Sequence, residues 1–205
     1  MSISRVLVVS GSAGHGHVMA GNAVTEALQQ RSEHVEVAHL DAVSRMSPAY
    51  ARTYRWGYVR LVDRHPMLWR MLYEQTDAKT SRVAHALTVW AGKRFVSTVD
   101  RWKPAVTVCT HFLALELLSR AIERGRIRTH LQAVVTDDDA HRVWAWPGIE
   151  HFYVSSELVK ARFNLDYGVP EERITVTGVP VRRPFTKRYN ARNLRGVRAD
   201  LGLDA

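Results

Sequence analysis

Little in this sequence is typical of a secreted or membrane-spanning chain. It contains one cysteine, Cys109, inside the apolar run 105–109, so a disulfide framework is excluded and a small buried core residue is expected. No apolar run approaches about 18 residues, so no membrane-spanning helix is expected. The segment 1–5 leads directly into an apolar run and leaves no room for a signal peptide. Together these features predict a cytoplasmic protein.

Acidic residues are also scarce relative to basic ones. The chain has 20 Asp and Glu against 29 Lys and Arg, for a net charge of +9. Such an excess favours partners that carry phosphate, whether nucleic acid, anionic lipid head groups or a phosphorylated substrate, and no nucleic-acid recognition motif accompanies it. With 46% hydrophobic and 24% charged residues over 205 positions, the composition predicts one globular domain, or one domain plus a tail.

What the sequence does contain is a strand, a glycine-rich turn and a helix in direct succession near its start. The run Val6–Ser10 predicts a buried strand, and Gly11, Gly14 and Gly16 form the turn that follows it. In an open α/β sheet this arrangement presents the N–H groups of a helix N-terminus to a ligand. His17 lies at the beginning of the predicted helix, where an imidazole is an unusual choice for structure alone.

Two nucleotide-binding fingerprints nearly match this turn, and each fails at one residue. The dinucleotide pattern has Met19 where it needs Gly or Ala, although Asp41 closes the next strand as the ribose-binding acid of such folds does. The phosphate-loop pattern has His17 where it needs lysine. Both nucleotide sites are therefore minor alternatives.

Further apolar runs recur with the spacing of a parallel α/β sheet. Strands are predicted at 34–40, 104–109, 131–136, 151–154 and 174–177, and helices at 113–123 and 156–165. Because the carboxyl ends of parallel strands line the ligand crevice, Asp137 and His141 should lie on the same edge as His17. The predicted fold class is α/β, with a Rossmann-like open parallel sheet and helices on both faces.

Two kinds of chemistry are open to the polar residues at these strand ends, which are His15, His17, Asp137, Asp138, Asp139 and His141. Histidine and carboxylate clusters suit zinc or manganese in a metal-dependent hydrolase, but the spacing matches no closed ligand set, so no metal is predicted. In the other interpretation His17 is a general base, kept neutral by the positive end of the helix dipole, and Asp137 orients or assists it. A structural role for His17, bonded to the loop, is equally open at this point.

Residues 48–98 differ from the rest of the chain because they have no strand pattern and interleave aromatic rings with arginines. Pro66 predicts a break between at least two helices. Aromatic rings beside cations suit a membrane–water interface with anionic lipid. Alternatively, these are amphipathic helices that cover the sheet and leave their arginines in solvent, which is the commoner arrangement. The candidate membrane and anionic-lipid contacts are Arg55, Trp56, Arg60, Trp69 and Arg70.

The order and spacing of these motifs resemble the N-terminal domain of the monogalactosyldiacylglycerol synthases and the bacterial processive diacylglycerol glucosyltransferases. Both groups are relatives of the lipid II-forming transferase of peptidoglycan synthesis. The resemblance runs from about Arg5 to Phe185. Besides the glycine turn, it includes Val135-Thr136-Asp137 with His141 and Trp144 downstream, Tyr153-Val154-Ser155-Ser156, and Thr177-Gly178-Val179-Pro180-Val181-Arg182 with Pro184.

The resemblance implies the N-terminal half of a GT-B fold in an inverting glycosyltransferase that needs no metal in its site. Such an enzyme moves a hexosyl group from a nucleotide sugar, a UDP-hexose, to diacylglycerol or a related lipid. The family's proposed base corresponds to His17, whereas no role carries over to His15. The implied catalytic pair is His17 and Asp137, and the implied acceptor-binding residues are Gly14, Gly16, His141 and Trp144.

The resemblance also implies a domain organisation. Residues 1–185 should form the acceptor-binding domain, with 48–98 as its helical, membrane-facing region, and 186–205 should be a linker or the start of a donor domain. The donor-sugar site is absent from this sequence, so we expect no cofactor bound here, little activity alone, and a separate donor-binding domain or chain as partner. The expected location is cytoplasmic, peripheral on the inner face of the membrane, with no nucleic acid bound. A non-catalytic module that binds membrane or anionic lipid is the alternative.

Overall fold

The structure is a computed structural model of the chain. It describes residues 5–12, 14–31, 34–64, 67, 82–186, 191–200 and 202–203. The predicted break at Pro66 and the predicted lipid contacts Trp69 and Arg70 lie outside the described residues, as does the side chain of Arg55.

Six parallel strands form one open sheet in the order β2-β1-β3-β4-β5-β6. The strands are β1 (Arg5–Ser10), β2 (Glu36–Asp41), β3 (Val106–Cys109), β4 (His130–Val134), β5 (Ile149–Val154) and β6 (Ile174–Val176). From β1 the chain passes to β2 on one side and then returns to β3 on the other side. A crevice therefore opens at the carboxyl ends of β1 and β3, which is where sheets of this class bind ligands.

Helices connect the strands and cover the sheet. They are α1 (His15–Arg31), α2 (Pro48–Arg64), α3 (Arg82–Ala91), α4 (Lys93–Trp102), α5 (Phe112–Glu123), α6 (Glu157–Tyr167) and α7 (Ala191–Asp200). Short 3-10 helices lie at Val43–Arg45, Arg142–Trp144, Glu171–Arg173 and Arg183–Thr186. None of the helices in the described part of the chain combines the length and the apolar character needed to cross a bilayer.

Alternate residues of β1 enter two separate apolar clusters, one on each face of the sheet. Leu7 and Val9 belong to the larger cluster, which also contains side chains of α4, α5 and α6. Val6 belongs to the smaller one, against Val24 and Leu28 of α1. Burial on both faces explains why β1 is a continuous apolar run rather than an alternating one. The predicted α/β fold with helices on both faces is confirmed.

The strand and helix boundaries differ from the predicted ones by a few residues. The difference that matters is at β4, which ends at Val134 rather than at residue 136, so that Thr136 and Asp137 lie in the loop beyond the strand. Helix α4, which begins inside the region 48–98 and ends beyond it, packs into the core, because Phe95 and Val99 are completely buried. Cys109 is buried in β3, as predicted.

Candidate functional site

A pocket of about 240 Å³ opens at the carboxyl edge of the sheet, beyond the ends of β1, β3 and β4. It is lined by Gly14, Gly16, His17, Tyr54, His111, Phe112, Thr136, Asp137 and Val179. The loops that follow three neighbouring strands, together with the first turns of the helices α1 and α5, supply most of this lining, and α2 and the segment after β6 add one residue each. The predicted convergence of His17 and Asp137 is therefore observed.

Asp41 holds the glycine turn in position from the end of the neighbouring strand. Its carboxylate accepts hydrogen bonds from the Ser12 backbone N–H at 3.0 Å and from the Ser12 hydroxyl at 2.7 Å. It also accepts one from the Val43 N–H at 3.1 Å. Asp41 thus holds the loop that lines the pocket. Dinucleotide-binding folds use an acid at this sequence position to contact a ribose.

His17 lies in the first turn of α1, and its Nδ1 contacts the ends of two strands. Nδ1 is 2.9 Å from the carbonyl oxygen of Thr110 and 2.7 Å from Oγ1 of Thr136. The Thr110 hydroxyl in turn donates to the His17 carbonyl at 2.8 Å, which ties this helix to the end of β3. Because a carbonyl oxygen can only accept, Nδ1 carries the proton and donates it. In the neutral ring Nε2 is then the nitrogen that can accept a proton.

The protonation state of His17 follows from its surroundings. Burial lowers the pKa of His17 from its ordinary value of 6.5, because an imidazolium is poorly solvated there. The Asp137 carboxylate and the hydrogen bond to the Thr110 carbonyl act in the opposite direction, and burial has the larger effect. A histidine with this pKa is neutral at pH 7, which a general base requires.

Trp144 holds Asp137 beside this ring. The indole Nε1–H donates to Oδ2 of Asp137 at 2.8 Å, and Ser155 Oγ donates to the Asp137 carbonyl at 3.2 Å. Trp144 is 0% exposed, and its ring centroid lies 6.2 Å from that of His17. Trp144 is absent from the pocket lining, so its contact with an acceptor stays a prediction; in the structure it positions the carboxylate.

The glycines of the turn differ in what surrounds them. Gly14 and Gly16 line the pocket, and a Cβ added at either would meet nothing within 4 Å. A Cβ at Gly11 would lie 2.6 Å from the Cδ2 and Cγ atoms of His111. Gly14 and Gly16 thus present open backbone to a ligand, whereas Gly11 makes room for an imidazole ring.

The other predicted residues at this edge lie outside the pocket lining. His141 is buried, and its Nδ1 accepts from the Val143 N–H at 3.1 Å, which caps the helix Arg142–Trp144. Asp139 pairs with Arg162 of α6, and His15 is exposed at the start of α1. The role of His141 in acceptor binding stays a prediction. No group of three or more His, Cys, Asp or Glu side chains suited to hold a metal ion occurs among the described residues.

Several residues of the site were not predicted from the sequence. They are Thr110, whose carbonyl contacts His17, and the lining residues Tyr54, His111, Phe112, Thr136 and Val179. Thr110, His111 and Phe112 directly follow β3, so the strand-end argument applied to Asp137 would have found them. Tyr54 lies mid-helix in α2 and has no comparable local signal.

Part of the predicted membrane-facing region is exposed. Trp56 is 62% exposed, and the guanidinium of Arg60 lies 4.6 Å from its ring centroid, a cation–π arrangement. Tyr54, two residues earlier on α2, lines the pocket. Trp90 and Leu87 of α3 are also exposed. Helix α2 therefore connects the pocket wall with an exposed aromatic and cationic surface.

Comparison with known proteins finds relatives of this chain. The family model described as monogalactosyldiacylglycerol (MGDG) synthase matches residues 17–181. Among similar curated proteins are processive diacylglycerol beta-glucosyltransferases of Bacillus mycoides (23% identical over 188 residues, 91% of this chain and 47% of that protein) and Staphylococcus carnosus (21% over 182 residues, 88% and 45%). That of Bacillus subtilis is 24% identical over 183 residues, 88% of this chain and 47% of that protein.

This chain spans about half the length of the curated relatives it matches. The family model nevertheless covers most of the chain, from His17 through the loops that carry the pocket to Val181. The strand-turn-helix unit and the segments quoted for the resemblance lie within or directly beside that match. The resemblance inferred from the motifs is confirmed, and the chain belongs to the monogalactosyldiacylglycerol synthase family.

Proposed function

We propose that this chain is the acceptor-binding half of an inverting glycosyltransferase, which moves a hexosyl group from a nucleotide sugar to diacylglycerol or a related lipid. The observation that carries the proposal is the state of His17: neutral, with its Nδ1 proton directed to the Thr110 carbonyl, at a pocket that also contains Asp137. The names of the relatives, which are diacylglycerol glucosyltransferases, support the reaction class.

In this mechanism the acceptor hydroxyl lies at Nε2 of His17. The ring takes the hydroxyl proton as the oxygen attacks the anomeric carbon from the face opposite the nucleotide. The new carbon–oxygen bond forms as the bond to the nucleoside diphosphate breaks, and the configuration at the anomeric carbon inverts. Asp137 stabilises the imidazolium that results, because its charge favours protonated His17.

The size of the pocket supports a lipid whose tails stay outside it. A volume of about 240 Å³ is below the ~300–1,000 Å³ of pockets that enclose a drug-sized ligand. It suits a glycerol head group rather than a whole diacylglycerol. The acyl chains would leave along α2, where the exposed Trp56 and Arg60 supply an aromatic ring and a cation suited to a membrane interface. We therefore propose that the protein is peripheral on the inner face of the membrane.

The donor nucleotide sugar is assigned to a second domain or chain, so this chain alone should bind acceptor and transfer little or no sugar. The test is to join it to the C-terminal half of one of the diacylglycerol glucosyltransferases and to follow hexose transfer from UDP-hexose to dioctanoylglycerol. His17→Ala should reduce the rate by at least ~100-fold, the usual contribution of a general base. His15→Ala, an exposed histidine in the same turn of α1, is the matched control and should keep the rate.

Three outcomes of this assay are informative. Equal rates for the two histidine variants would contradict the assignment of the base. Retention of the anomeric configuration in the product would contradict the inverting mechanism. Binding of dioctanoylglycerol without transfer in the joined protein would favour the alternative, a non-catalytic lipid-binding module.

A further inference from the structure

His111 is a second histidine in the same pocket, and the mechanism above does not use it. It lies two residues beyond the end of β3, caps the N-terminus of α5, is 0% exposed, and is one of the residues that line the pocket. Its ring centroid lies 4.5 Å from that of His17, in an edge-to-face arrangement. The two imidazoles are therefore adjacent in one site.

The hydrogen bonds of His111 determine which nitrogen carries its proton. The backbone N–H of Leu113 donates to Nδ1 at 3.1 Å, so Nδ1 is unprotonated. Burial, and secondarily the proximity of His17, lower the pKa of His111 well below 6.5, so the ring is neutral. Its single proton is therefore on Nε2. None of the described residues places a hydrogen-bond partner at this buried nitrogen.

The ring is held rigidly in this position. Phe112 stacks on it at a centroid distance of 4.4 Å, and the absence of a side chain at Gly11 makes room for a face of the ring. Buried polar groups in folded proteins nearly always have a hydrogen-bond partner, and each exception calls for an explanation, such as a catalytic role or a bound water or ion. The Nε2–H of His111, which has no acceptor among the described residues, is such an exception in a residue that lines the pocket.

We propose that His111 is a substrate-binding residue whose Nε2–H donates a hydrogen bond to a second oxygen of the acceptor, adjacent to the hydroxyl that His17 deprotonates. The two rings have complementary roles, since Nε2 of His17 accepts and Nε2 of His111 donates. An acceptor with oxygens on neighbouring carbons, as in a glycerol ester, satisfies both, whereas a simple fatty alcohol satisfies only His17. The inference rests on the proposed function. It predicts that this pocket prefers a glycerol ester to a simple fatty alcohol.

The test uses the full chain and imidazole-selective 15N NMR, with dioctanoylglycerol and dodecanol as probes. Dioctanoylglycerol should perturb the His17 ring and move the His111 Nε2–H proton downfield, as a new hydrogen bond does. Dodecanol should perturb His17 alone. A response of His17 to dioctanoylglycerol with no response of His111 would overturn the inference and leave the proposed function standing. No response of either ring would contradict both.

Two variants separate recognition from folding. His111→Asn keeps an oxygen that can accept from the Leu113 N–H and so preserves the helix cap, but it lacks the ring donor. His111→Phe keeps the ring shape but loses both the Nε2–H donor and the Nδ1 acceptor of the helix cap. Each should weaken dioctanoylglycerol binding about tenfold, the effect of one hydrogen bond, and change dodecanol binding less than about twofold. A merely structural role predicts equal losses for the two probes, and that result would refute the inference.

Discussion

Burial of His111 should make the stability of this protein depend on pH in a way that one substitution removes. In the unfolded chain His111 titrates near 6.5, whereas in the folded chain burial lowers its pKa well below that value. Below pH ~6.5 the unfolded state therefore binds a proton that the folded state does not. The stabilising contribution is complete above the unfolded pKa and is lost progressively as the pH falls towards the folded one.

The size of this effect follows from linkage. When only the unfolded state binds a proton, the free energy of unfolding falls by about 1.4 kcal/mol for each pH unit below the pKa of that group in the unfolded chain. Between pH 7.5 and pH 5.5 the wild-type chain should therefore lose about 1.4 kcal/mol through His111. His111→Asn keeps the cap on α5 and has no group that titrates in this range.

The measurement is urea unfolding of wild type and His111→Asn at the two pH values, followed by tryptophan fluorescence. Burial also lowers the pKa values of His17 and His39, which are present in both proteins. The difference between the two proteins therefore reports His111 together with its coupling to the adjacent His17. The loss of unfolding free energy between pH 7.5 and pH 5.5 should be about 1.4 kcal/mol smaller in the variant. The same loss in both proteins would show that the folded chain accommodates the proton and would refute the reasoning.

Three further substitutions test other parts of the structure. Gly11→Ala should lower the free energy of unfolding in urea by about 1–3 kcal/mol, because its Cβ would overlap a buried imidazole. Gly14→Ala, whose Cβ meets open space, should change that free energy by less than about 0.5 kcal/mol. Equal effects of the two substitutions would contradict this interpretation of the turn. Trp144→Phe should cost about 1.5–3 kcal/mol by removing the indole hydrogen bond to Asp137, and an unchanged midpoint would show that the bond is not stabilising. Trp56→Ala should weaken binding to anionic vesicles about tenfold in a flotation assay. The control Leu165→Ala, at an exposed leucine of α6, should leave this binding unchanged. Equal binding by the two variants would show that α2 does not contact the membrane.

The part of the site that could be predicted from sequence lies where strands end. His17 follows the glycine turn within a few residues, and Asp137 follows an apolar run, so local patterns place both at the carboxyl edge. The same argument extends to His141, yet the structure puts that ring in a buried cap. The position of a residue just beyond a strand determines at which edge of the sheet it lies. The direction of its side chain depends instead on the turn that follows the strand.

The sequence by itself determined the fold class, the family and the position of His17, because each depends on motifs contained in short segments. Only the tertiary structure decided how that histidine is set up for chemistry. Its partners at Nδ1 lie 93 and 119 residues away, and they meet it because the sheet places β3 beside β1 and β4 beside β3. The tautomer of His17, the burial that keeps its ring neutral, and the surroundings of the His111 Nε2–H, which has no acceptor among the described residues, all depend on long-range contacts. No local periodicity encodes them, because they depend on strand order and on the packing of side chains from separate loops.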